Sequence, residues 1–115
     1  MRRDPLIIGG GPAGSAAAIT LVRAGYRPVV LERTAGPSDK VCGDFLSDDA
    51  VQRARGLGVD PVGLGAVPIH CVRLVHGERV VATALPFPAF GLSRRRFDAA
   101  LLDRAEAAGA VVRTG

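Results

Sequence analysis

Between Leu6 and Arg33 the chain passes through an apolar triplet, the turn Gly9-Gly10-Gly11-Pro12-Ala13-Gly14, an alanine-rich stretch to Ala24 and a second apolar run ending in Glu32. A strand, Gly-x-Gly-x-x-Gly, a helix and a second strand closed by an acid about 20 residues on form the βαβ dinucleotide-binding pattern. No other stretch restricts the fold as strongly, because each glycine answers a separate steric demand. Gly9 allows the tight strand-to-helix turn, Gly11 lets a pyrophosphate approach the backbone without meeting a Cβ, and Gly14 lets the helix lie against the strands. Pro12 suits the first helical turn, where its missing N–H costs nothing. Free amides and the positive end of the helix dipole make that turn a place for a diphosphate. Glu32, at the tip of the second strand, is placed to accept both ribose hydroxyls, and its charge disfavours a 2′-phosphate. A buried βαβ unit with an empty crevice would share the glycine turn. A phosphate P-loop is excluded, because Ser15 stands where it needs lysine.

Read in order, residues 6–8 are expected as a central parallel strand, apolar throughout. The helix of residues 12–24 carries apolar side chains around most of its circumference and is expected to be buried on nearly all sides. Gly25 stops it before a second strand at residues 29–31. Turn chemistry over residues 34–39 marks a loop leading to Lys40-Val41-Cys42-Gly43-Asp44-Phe45-Leu46, after which Ser47 caps a helix to about Arg55 with Asp48 and Asp49 in its first turn. Residues 69–75 and 79–85 read as a hairpin with the three-residue loop His76-Gly77-Glu78, and residues 86–91 as a return to the first layer. Ser93 caps a last helix carrying Phe97, Leu101, Ala105 and Ala108, Gly109 stops it, and residues 110–114 read as a third parallel strand.

The fold class is therefore α/β: a Rossmann-like βαβ fold with a parallel sheet and an antiparallel hairpin insertion. Its parts are the βαβ unit 5–33, the Cys-Gly loop and helix 40–58, the hairpin at about 67–86, and the returning helix and strand 93–114. Three parallel strands with an apolar edge are incomplete by the rules for covering sheets, so the 115 residues are expected to be a truncated, N-terminal part of a larger enzyme.

Composition narrows the partners. The formal charge of +4 comes almost wholly from arginine, with Lys40 the only lysine. Scattered arginines and few aromatics argue against a nucleic-acid surface. In the one run, Arg94-Arg95-Arg96, at least two side chains are read as a solvated first helical turn. Cys42 and Cys71 lie far apart, and His70 and Cys71 as strand neighbours point to opposite faces, so no metal site is expected. The residue 6–8 run is too short for a signal or a membrane span, which gives a cytoplasmic expectation with reduced thiols and leaves peripheral membrane contact open.

Three segments also carry a family resemblance. They are Ile8-Gly9-Gly10-Gly11-Pro12-Ala13-Gly14-Ser15 with Glu32-Arg33, then Lys40-Val41-Cys42-Gly43-Asp44-Phe45-Leu46-Ser47, then Ser93-Arg94 through Phe97-Asp98 to Gly109-Ala110 and Val112. Together they resemble the N-terminal region of FAD-dependent oxidoreductases of the geranylgeranyl-reductase type, relatives of the aromatic-ring hydroxylases. The resemblance implies FAD as cofactor, NAD(P)H as a transient electron donor and a small-molecule substrate, isoprenoid or aromatic. It implies that Gly11, Pro12, Ala13 and Gly14 hold the pyrophosphate, Glu32 the adenosine ribose and Arg33 the adenine edge. Cys42, Gly43 and Phe45 would border the flavin, and Arg94 would reach back to the cofactor with a charge-assisted bond. Catalytic residues stay unassigned. Cys42 is read as a compact packing residue, since Cys71, His70 and His76 fall on a separate hairpin.

The sequence departs from the resemblance in lacking a Gly-Asp pair after a later strand, and Gly43-Asp44 does not replace it because no strand precedes it. The chain alone is accordingly expected to bind FAD weakly. Reduction of an isoprenoid-like double bond leads, with flavin hydroxylation or halogenation next. A NAD-dependent dehydrogenase is disfavoured by the antiparallel insertion, and a non-catalytic nucleotide-binding module stays open.

Overall fold

The structure is a computed structural model that describes residues 3–115. In chain order the elements are β1 (Leu6–Ile8), α1 (Pro12–Arg23), β2 (Val29–Glu32), β3 (Phe45–Ser47), α2 (Asp48–Gly56), β4 (Val67–His76), β5 (Arg79–Gly91), α3 (Arg94–Ala108) and β6 (Val111–Thr114). They form a parallel sheet of order β1-β2-β6 and an antiparallel sheet of order β3-β5-β4.

The parallel sheet corrects one expectation. β2 is its middle strand and β1 an edge, with Leu6 63% and Ile8 76% exposed, because the two crossovers deposit β1 and β6 on opposite sides of β2. Composition cannot distinguish these places, since a middle strand and an uncovered edge can both be all-apolar. α1 is likewise less enclosed than its composition suggests. Its buried residues are Ser15, Ala18 and Ile19, a single stripe at helical spacing, while Ala13, Ala17 and Thr20 face solvent. The outward alanines contribute helix propensity and no core.

The second sheet is larger than its sequence pattern. Phe45-Leu46-Ser47 pairs with Ala89-Phe90-Gly91, so the segment after the Cys-Gly loop is a strand, and residues 86–91 are part of β5 and no simple return. The hairpin loop has two residues, since His76 pairs with Arg79. Gly77 takes φ +59 at the first central position, where a type II′ turn reserves a place for glycine. Two prolines, unfavourable within a strand, sit where the ladder shifts register. Ile69 pairs with Ala89 and Cys71 with Ala84, leaving Pro86 and Pro88 in a bulge where no ladder N–H is required. The hairpin extends well beyond the core, and the molecule is 63 Å long against 27 and 21 Å in the other directions.

Two apolar clusters hold the layers. One joins Leu46, Val51, Ala54, Val59, Leu92, Phe97 and Leu101, and the other joins Ala18, Ile19, Val30, Ala105 and Ala110. α3 serves both, with Phe97 and Leu101 in the first and Ala105 in the second, spaced four residues apart. That helix fixes the antiparallel sheet relative to the βαβ unit. The helix boundaries follow the capping signals. Ser47 accepts from the Ala50 amide, Ser93 accepts from the Arg96 amide, and Gly109 ends α3 at φ +125.

Candidate functional site

β1 and β2 run in register from Leu6↔Val29 to Ile8↔Leu31, so the glycine turn after β1 and Glu32 at the end of β2 emerge side by side at the carboxyl edge of the sheet. Gly9, at φ +103, donates its N–H to the Leu31 carbonyl at 2.8 Å and reverses the chain. A Cβ on Gly14 would run into the Gly9 carbonyl oxygen and stand 3.3 Å from the Ile7 side chain, so helix and turn are in backbone contact there. At Gly11, the N-cap of α1, a Cβ would meet nothing within 4 Å. That face is open. Pro12 occupies N1, no side chain caps the helix, and the Ala13 and Gly14 amides have no intrahelical acceptor.

Beside this turn lies a cleft of about 350 Å³, within the range of small-molecule sites. Gly10, Gly11 and Glu32 form one wall, Gly36 to Ser38 with Lys40 a second, and Asp98, Leu102 and Glu106 of α3 a third. Glu32 Oε1 accepts the Gly10 N–H at 3.2 Å and Oε2 accepts the Thr34 N–H at 3.1 Å, which leaves one lone pair on each oxygen for a ligand. These bonds, Thr34 first and then Gly10, hold the Glu32 carboxyl below its usual range, helped by the charges of Lys40 and Arg33 and opposed by partial burial.

The lowered pKa of Glu32 has a consequence for folding. A carboxyl depressed in the folded state stabilises that state fully above its ordinary value of 4.5, and the contribution disappears as pH falls through the lower folded value. Glu32→Gln is therefore expected to flatten the acid limb of a stability-against-pH curve, measured by urea unfolding from pH 7 to pH 3, and to leave the shape above pH 5 unchanged. An identical acid limb in both proteins would remove Glu32 from the linkage.

The other expected site residues divide. Arg33 is exposed just past β2 and lies off the cleft. Cys42, Gly43 and Phe45 are exposed beyond the loop wall, and a Cβ on Gly43 would meet nothing within 4 Å. The Arg94 guanidinium is engaged with Asp98, Nε to Oδ1 at 2.8 Å and Nη2 to Oδ2 at 3.1 Å, with both side chains half-buried or better. That pair, opposed by burial and reinforced by the nearby Cys42 side chain, pushes the guanidinium further above its ordinary value. Cys42 lies near this pair, a proximity that its sequence separation from Arg94 conceals. Arg95 and Arg96 are exposed, as expected, although Arg95 approaches Asp39 at 3.6 Å and Arg96 reaches the Leu64 carbonyl.

Sequence reading missed Gly10, Thr34, Lys40, Asp98 and Asp44. Asp98 was detectable as the i+4 acid following Arg94, and Gly10 as the middle of a glycine triplet. Among the described residues no group of three His, Cys, Asp or Glu side chains is placed to hold a metal, and no helix is long and apolar enough to cross a membrane.

The fit to a dinucleotide rests on three features: an open Gly11 face at uncapped amides, a Gly9–Gly14 contact that leaves no room for a Cβ on Gly14, and a bidentate acid on the same wall of the cleft. Sequence comparison is decisive on which dinucleotide, since the FAD binding domain family matches residues 2–115. The chain belongs to that family. As a member of the FAD binding domain family it is similar to flavin-dependent oxidoreductases and monooxygenases. It is 32% identical over 113 residues to digeranylgeranylglycerophospholipid reductase 2 of Methanopyrus kandleri, a match covering 97% of this chain and 28% of that protein. It is 47% identical over 58 residues to menaquinone reductase of Mycolicibacterium smegmatis, covering 50% and 14%. Among solved structures, a mutant of 2-methyl-3-hydroxypyridine-5-carboxylic acid oxygenase superposes with a TM-score of 0.84 at 25% identity, covering 99% of this chain and 32% of that one. The myxobacterial chondrochloren halogenase, an FAD-dependent halogenase, gives 0.80 at 27%, covering 96% and 28%. The chain spans under a third of the length of each of these proteins.

Proposed function

We propose that this chain is the N-terminal, nucleotide-binding part of an FAD-dependent oxidoreductase that reduces isoprenoid-like double bonds with NAD(P)H as donor. The observation that carries the reductase reading is the match to digeranylgeranylglycerophospholipid reductase along 97% of the chain. A second relative is a menaquinone reductase. FAD, when bound, would supply the two-electron hydride chemistry between the donor and the alkene, and the residues of this chain would hold and orient it.

The residues of the chain bind and orient. Gly11, Pro12, Ala13 and Gly14 receive the pyrophosphate at the start of α1, with Gly9 setting the turn. The remaining lone pairs of Glu32 receive the ribose hydroxyls, and Arg33 borders the adenine. Cys42, Gly43 and Phe45 border the flavin. Arg94 acts through Asp98, which presents a fixed ion pair to the cleft. Two exposed thiols, neither in a disulfide, are compatible with a reducing, cytoplasmic setting. A second reading, flavin monooxygenase or halogenase, is favoured by the oxygenase and halogenase superpositions.

A full-length version, purified, is expected to be yellow and to release FAD on denaturation. Recovery of NAD without flavin, from protein folded in excess FAD, would end the assignment. Reoxidation of the reduced protein by an isoprenoid alkene without oxygen separates the two readings: it is expected for the reductase, and a strict need for oxygen would favour the monooxygenase.

A further inference from the structure

Among the described residues Asp44 is the only non-glycine with positive φ, at +55. An L-residue pays for that conformation, and Asp tolerates it better than most because its short side chain bonds locally. Here the side chain has a distant use. Asp44 Oδ1 accepts the N–H of Arg94, the first residue of α3, at 3.2 Å, and the Asp44 carbonyl accepts the Leu92 N–H at 2.9 Å. The turn aims both acceptors of one residue at the segment leading into α3.

Asp44 stands at the end of the loop that walls the cleft. Gly36, Pro37, Ser38 and Lys40 line that wall, and the loop meets the rest of the protein mostly at the first turn of α3. Its other ties are weak. Asp39 and Arg95 are 3.6 Å apart with side chains 82% and 55% exposed, a pairing that contributes little in water. The Cys42 sulfur is a poor hydrogen-bonding group toward Arg94. The strained conformation at Asp44 persists where two backbone donors hold it, the situation in which an outlier points to a role.

We propose that Asp44 is a positioning residue: it clamps the 36–43 loop to the start of α3 and so sets the width of the nucleotide cleft and the position of Lys40 over it. Asp44→Asn keeps both the acceptor and the tolerance for positive φ. Asp44→Gly keeps the backbone and loses the acceptor. Asp44→Ala loses both.

The test measures FAD affinity by titration and amide hydrogen exchange at Leu92 and Arg94 in the protein without nucleotide. Asp44→Ala is expected to weaken FAD binding about tenfold and to speed exchange at both amides by a similar factor. Asp44→Gly is expected to speed exchange at Arg94 and spare Leu92, whose acceptor is the backbone. Asp44→Asn is expected to restore affinity to within about threefold of the parent. Rescue by Asn is the result that a general loss of packing would not give. Parent-like affinity in Asp44→Ala, or an Asn variant no better than the Ala variant, would overturn the proposal. The affinity arm rests on the FAD reading and the exchange arm does not. A parent protein that binds no FAD sinks that reading, while unchanged exchange at Arg94 in Asp44→Ala sinks the clamp.

Discussion

Gly14→Ala is expected to destabilise the chain by about 3 kcal/mol, the upper end of the range for forcing a methyl into a filled space. Two effects oppose each other at this position. Gly14 lies inside α1, where alanine would ordinarily gain about 1 kcal/mol in helix propensity. The new Cβ, however, would overlap the Gly9 carbonyl oxygen, and that atom cannot yield easily because Gly9 bonds Leu31 and turns the chain at φ +103. Displacing the turn also separates α1 from Ile7, so the steric loss exceeds the propensity gain. Gly11→Ala is the control. Its Cβ would meet open space, and the variant is expected to lose less than about 1 kcal/mol, the scale of an N-cap change. Urea unfolding of the two variants gives the comparison. Equal midpoints would mean that α1 and the turn are not in contact.

Glu32→Arg is expected to raise the FAD dissociation constant about 100-fold, since hydrogen bonds to a charged group contribute about 1.5–3 kcal/mol. The same change leaves the Gly10 and Thr34 amides without their acceptor, and Gly10 is buried, so the turn that presents Gly11 loosens too. An arginine would also stand near Arg33 and Lys40, whose charges now favour the carboxylate. Glu78→Arg, in the hairpin turn far along the chain, is expected to leave affinity unchanged. Titration of both variants with FAD decides the matter: equal affinities would show that Glu32 does not meet the ribose.

Most of the secondary structure could be read from local chemistry. The glycine spacing, the Ser47 and Ser93 caps, the Gly109 stop and the hairpin turn at Gly77 each act within a few residues, and each is found where its local physics puts it. β3 was not legible because it has three residues, one of which also caps α2. The end of β5 was not legible because Pro86 and Pro88 read as strand breakers until the bulge at Ile69–Cys71 relieves them of ladder bonds.

The site divides along the same line. Gly9, Gly11, Gly14 and Glu32 were readable because the βαβ unit is closed by short-range geometry: a turn, a helix and two strands in register. By itself the sequence determined that unit, its helix ends and its kinship with FAD-binding proteins. The tertiary structure alone decided that β2 and not β1 is the middle strand, that α3 joins two cores, that Arg94 is held by Asp98 with Cys42 at its side, and that Asp44 ties the cleft loop to α3. Several of these depend on residues as much as 50 positions apart, as in the Asp44–Arg94 bond. Such contacts exist only once two sheets have packed on one helix, and no local propensity records them.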